Sequence, residues 1–134
     1  MSTLNLTTNH THALMTYLDW TVPVRTLIHQ LQNHDFDILS VNDGEEDIPI
    51  ISNSGSLAER QEVTGAITAV DEAWLRVGMN RMTATLYIVL GNEPDELVAD
   101  YSCPEELMPF VEEAVEAHRK QWEGKRCPLA KEPA

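Results

Sequence analysis

Asp43, Glu45, Glu46 and Asp47 stand within five positions around Gly44. Carboxylates that close in sequence could offer oxygen ligands to a hard divalent cation. The spacing is not that of an EF-hand loop, which needs acids at alternating positions before a glycine and a glutamate at the twelfth. A solvated, mutually repelling hairpin tip is therefore the preferred reading. The four acids are then candidates for an anionic contact face, together with Asp35, Asp37, Glu93, Asp95 and Glu96. The stretch from Glu93 to Glu116 holds nine acids and no base, so such a face could be broad.

The other side chains able to do chemistry read as structural. His10 and His12 would share one side of a strand but not of a helix, and their surroundings read as disordered or helix-capping, so no metal site is assigned there. His29 and His34, five apart, do not share a helix face. His118 falls on an apolar helical stripe and reads as a hydrogen-bonded core residue. Cys103 and Cys127 flank a helical segment that would hold their Cα atoms about 21–27 Å apart, against the ~7 Å limit of a disulfide, so both are expected as free thiols. Glu105 and Glu106 beside Cys103 oppose a thiolate nucleophile. No H-E-x-x-H, C-x-x-C, G-x-G-x-x-G, P-loop or G-x-S-x-G pattern occurs, and no cofactor or metal is expected. Trp20, Trp74 and Trp122 each fall near an element end, where an indole sits half buried; the rival role is an interface anchor.

Charge narrows the partners. The 134 residues carry 22 acids against 9 bases, a formal net charge of -13. Residues 1–118 hold 20 of the acids and only four arginines, whereas residues 119–134 hold five bases and two acids. Such a polyanion repels nucleic acid and anionic membranes, and steers basic proteins toward itself. The N-terminal residues form no signal-peptide pattern and no apolar run is long enough to span a bilayer, so the expected location is cytoplasmic.

The elements that must position these groups follow from periodicity. A first helix capped by Thr8 or Asn9 would carry Leu14, Tyr17 and Leu18; a second, from Pro23 to His34, shows the i, i+3, i+4, i+7 stripe Val24, Leu27, Ile28, Leu31. Phe36–Val41 and Ile48–Ile51 bracket Asn42-Asp43-Gly44 as a hairpin, with Pro49 marking an edge strand. Ser56 and Glu59 form a capping box for a helix over 57–70. Its β-branched segment 63–70, containing Gly65, leaves a strand as the alternative. Strands are expected at 74–79, 82–90 and 97–101, with Met82, Ala84, Leu86, Ile88 and Leu90 on one face and Thr83, Thr85, Tyr87 and Val89 on the other. The last helix should begin near Pro109, after a short turn from Pro104, because proline in a helix interior costs about 3 kcal/mol. Residues 1–134 thus read as one α+β domain: an antiparallel sheet of about five strands, a hairpin plus a three-stranded meander, with helices mainly on one face. Residues 1–8 and 125–134 are expected to be flexible ends that contribute nothing to the core.

The stretch that begins with Thr68–Leu75 and continues to Tyr87–Tyr101 resembles small uncharacterised accessory proteins carried on bacterial mobile elements such as integrative elements and plasmids. The resemblance covers about a quarter of the chain; it implies a bacterial, accessory, cytosolic protein and carries over no site residue. The leading functional expectation is a non-enzymatic acidic protein that binds, as an inhibitor or nucleic-acid mimic would, a basic protein partner. The alternatives are a metal-dependent hydrolase using Asp43–Asp47, and an assembly protein that forms a homodimer through its first helix or a tryptophan face.

Overall fold

Ala73, Leu75 and Val77 alternate along one strand, and Ala84, Leu86 and Ile88 along its neighbour, so one face of the sheet they form must be covered. The computed structural model of the chain describes residues 18–129. Its elements are α1 (Thr21–Asn33), β1 (Asp37–Asn42), β2 (Asp47–Pro49), α2 (Leu57–Thr68), β3 (Glu72–Met79), β4 (Met82–Val89), β5 (Val98–Ser102) and α3 (Met108–Trp122). Short 3-10 turns lie at Pro94–Glu96 and Glu105–Leu107. The five strands make one open antiparallel sheet in the order β2-β1-β3-β4-β5. The fold is α+β, with the helices packed on the sheet.

The core lies between the helices and that alternating face. Val24, Leu27, Ile28 and Leu31 of α1, Val63 and Ile67 of α2, and Val111 and Ala114 of α3 are buried in one cluster with Ile38, Val41 and the apolar positions of β3 and β4. The β-branched stretch of α2 is helical after all: Val63 and Ile67 are buried, Gly65 points to open space, and burial outweighs weak propensity. Ser56 Oγ accepts the Glu59 N–H at 3.0 Å, while the buried Glu59 carboxylate accepts from Gly55 N–H and from Gln32 Nε2, both at 3.0 Å. The expected capping box therefore also ties α2 to α1. Pro109 sits in the first turn of α3, where its missing N–H costs nothing.

A polar seam joins α1 to α3. The Trp122 Nε1–H donates to Thr26 Oγ1 at 2.7 Å, and the Thr26 hydroxyl donates to the Pro23 carbonyl at 2.8 Å. The same carbonyl accepts from Nε2–H of the buried His118 at 2.9 Å. His118 is thus a satisfied core residue, and burial holds its pKa below the usual histidine value.

Two expectations need revision. Residues 125–129 are not free of the fold: Cys127 packs against the core, the Pro128 carbonyl accepts the Asp19 N–H at 2.6 Å, and Leu129 bridges Leu18. The short run Cys127-Pro128-Leu129 is too brief for sequence periodicity to reveal it. Leu18 makes that bridge rather than extending a helix; the rest of the expected first helix lies outside the described residues. Neither cysteine is in a disulfide.

Candidate functional site

The second face of the sheet carries no helix among the described residues, and its composition differs from the covered one. Strand register lines side chains up in rows across it. One row runs Asp47, Asn42, Trp74, Tyr87, Asp100, with one residue from each strand in spatial order. The next runs Pro49, Ser40, Arg76, Thr85, Ser102. A carboxylate stands at each edge of the first row, about 19 Å apart over four strand spacings, with two aromatic rings between them.

Trp74 and Tyr87 stack, with ring centroids 5.1 Å apart and planes inclined by 22°. Such a cross-strand aromatic pair stabilises the sheet locally by about 0.5–1.5 kcal/mol beyond burial. Trp74 is only partly buried, whereas Trp20 and Trp122 are 6% and 8% exposed. Trp74 alone of the three tryptophans can therefore anchor a partner. The Tyr87 hydroxyl donates to Glu72 Oε2 at 2.6 Å, and this carboxylate raises the phenol pKa, so Tyr87 stays a neutral donor.

A shallow depression borders each side of the ring pair. One, of about 510 Å³, is lined by Asn42, Gly44, Asp47, Trp74, Arg76 and Thr85. The other, of about 200 Å³, is lined by Trp74, Thr85, Tyr87, Asp100, Tyr101 and Ser102. Gly44 has φ +98, and a Cβ there would stand 3.8 Å from the indole, so glycine meets the turn geometry and leaves the indole edge clear. Each depression has an aromatic ring, hydroxyl or amide groups and one carboxylate, and Arg76 is the one base lining them. That set suits contact with a flat or cationic group. It contains no activated nucleophile.

The nine carboxylates singled out from the sequence fall into three places rather than one unbroken patch. Asp43, Glu45, Glu46 and Asp47 lie at the β1–β2 tip, and Glu93, Asp95 and Glu96 at the same end of the sheet, beyond β4. Asp35 and Asp37 lie at the opposite end, about 17 Å along β1, where Asp37 pairs with Gly78 and accepts from Ser54 Oγ. The β4–β5 group has bases interleaved: Asp95 feels Arg119, and Glu93 and Glu96 share a cavity wall with Arg126. At the tip, Asp43 Oδ1 accepts the N–H groups of Glu45 and Glu46, both at 2.9 Å, which lowers its pKa and fixes the turn. Among the described residues no three His, Cys, Asp or Glu are grouped so as to hold a metal ion.

Of the nine, Asp47 alone joins the aromatic row. Glu72, Tyr87 and Asp100 are not among the residues singled out from the sequence, and Trp74 enters there only in the rival role of an interface anchor. The signal lies in the polar alternates of β4, Thr83, Thr85 and Tyr87, but only the register sets Tyr87 beside Trp74 and Asp100. No protein-family profile matches the chain, and no curated protein or solved structure shows significant similarity to it. No helix among the described residues is long and apolar enough to cross a membrane.

Proposed function

We propose that this chain is a non-enzymatic acidic binding protein that takes up a basic protein partner on the open face of its sheet. The observation that carries the reading is the Trp74–Tyr87 stack, standing uncovered between Asp47 and Asp100, with Glu72 beside it. Aromatic rings flanked by carboxylates attract guanidinium and ammonium groups, by cation–π contact worth about 0.5–1 kcal/mol at an exposed site and by charge pairing. The net charge of -13 steers cationic surfaces toward the molecule from a distance. In this reading the protein acts in the bacterial cytoplasm as an accessory factor, in keeping with the resemblance of Thr68–Leu75 and Tyr87–Tyr101 to mobile-element proteins, and blocks a cationic surface on its partner.

The test uses a defined probe. Octalysine is titrated into the protein while tryptophan fluorescence is followed, because Trp74 is the least buried indole among the described residues. Saturable quenching is expected, weakening about tenfold or more as salt rises past the point where the Debye length falls below ~8 Å. Trp74→Ala and the pair Asp47→Asn with Asp100→Asn should each weaken binding. Equal affinity in those variants, or no quenching at low salt, would overturn the reading.

A further inference from the structure

The two edges of the sheet are not alike. β2 is three residues long and ends in Pro49, which has no N–H to offer a further strand. β5 has five residues, Val98–Ser102, with neither proline nor lysine, none of them is buried, and no strand among the described residues pairs with its outer side. Its outward donor at Tyr101 is held only by the neighbouring carboxylate: Asp100 Oδ1 accepts the Tyr101 N–H at 2.8 Å on the surface. An exposed bond of that kind yields readily to a competing backbone carbonyl.

We infer that β5 is a docking edge on which an extended, basic segment of a protein partner adds a sixth strand, in the register that sets a lysine or arginine opposite Asp100. The inference rests on the open-face reading above and states how the partner is held. Charge decides the occupant. Antiparallel pairing of β5 with its own copy about Asp100 would oppose two carboxylates, and two chains of net charge -13 repel as they approach. A cationic residue at that position instead releases Asp100 from the Tyr101 amide, pairs with it, and projects onto the open face beside Tyr87, because Asp100 and Tyr87 are directly opposite in register. Positions on either side of it project the other way. There Tyr101 on one side, and Val98 on the other beyond the extra residue Ala99, are partly buried and pack against the core. Opposite Asp100–Ser102, on the regular side of that irregularity, the recognised segment therefore alternates basic and apolar residues, with main-chain bonds supplying affinity and the alternate side chains supplying register.

A seven-residue peptide of alternating valine and lysine is the probe, compared with the same peptide N-methylated at every residue, so that neither of its edges keeps an N–H to donate. The methylated form keeps its charges and side chains but cannot pair with an edge strand. The parent peptide should bind about tenfold or more tightly than the methylated one, and should slow hydrogen exchange at the Tyr101 amide. Asp100→Lys, a change at an exposed position, should abolish binding of the lysine peptide and permit binding of the matching valine–glutamate peptide. If parent and methylated peptides bind equally, or neither binds while octalysine still quenches Trp74, edge pairing is overturned and the open-face reading stands. If neither peptide binds and octalysine leaves the fluorescence unchanged, both fall.

Discussion

Replacing Thr26 by valine removes one hydroxyl from the seam between α1 and α3 and leaves the shape of the side chain nearly unchanged. In the native protein that hydroxyl accepts the Trp122 indole N–H at 2.7 Å and donates to the Pro23 carbonyl at 2.8 Å. Valine leaves the indole N–H without an acceptor in a residue 8% exposed, whereas the Pro23 carbonyl keeps the His118 N–H at 2.9 Å. One orphaned donor is thus the main cost, since threonine and valine have similar helix propensities. A buried unsatisfied donor costs about 1–3 kcal/mol, and because Thr26 is only partly buried the lower half of that range applies, about 1.5 kcal/mol. For a domain of this size that is a fall of about 6 °C in Tm. Urea denaturation followed by circular dichroism measures the loss, with an unchanged m-value as the check that the denatured state is unaffected. A double-mutant cycle with Trp122→Phe should return a coupling of about 1 kcal/mol, separating the hydrogen bond from the lost indole packing. A Thr26→Val loss below about 0.3 kcal/mol, or additive effects in the cycle, would refute the assignment of this seam as a stabilising contact between the helices.

The buried His118 has a folded pKa below its unfolded value, chiefly from desolvation, with the Pro23 hydrogen bond and the charge of Asp95 acting the other way. The unfolded chain therefore takes up the proton first. The stability His118 contributes is whole above about pH 6.5 and is lost as pH falls through its lower folded value; chemical denaturation across that window should show a smaller pH slope in His118→Asn than in the native protein. Ser56→Ala removes the acceptor of the Glu59 N–H and should cost about 1 kcal/mol, while Glu59→Ala, which strands donors on Gly55 and Gln32, should cost about 2 kcal/mol by the same urea assay. Burial raises the pKa of both thiols, to about 11 at Cys127, and Glu112 adds to the rise at Cys103. Iodoacetamide at pH 8 should thus alkylate both cysteines more slowly than a free thiol by mass spectrometry, and labelling at the free-thiol rate would contradict their burial.

What was legible in the sequence was whatever local periodicity and turn chemistry encode. The α1 stripe, the Ser56–Glu59 cap, the two-strand run around Asn80 and the start of the last helix at Pro109 each depend on residues within a few positions of one another. The type of α2 was harder, since Val63–Thr68 favours extended chain locally and turns helical because Val63 and Ile67 reach the core. The return of Cys127–Leu129 to Leu18 spans the whole chain and leaves no local signal.

The candidate site divides along the same line. The sequence by itself determined the excess of carboxylates, the absence of a nucleophile motif and the polar alternates of β4, because composition and a period of two are properties of the chain alone. Only the tertiary structure decided which of those carboxylates act together. Antiparallel register between strands distant in sequence drew Asp47, Asn42, Trp74, Tyr87 and Asp100 into one row and left Asp35 and Asp37 at the far end of the sheet. Side chains on a sheet become neighbours through hydrogen-bonded pairing and not through spacing along the chain, so a contact face assembled from five strands exists only once the sheet has formed.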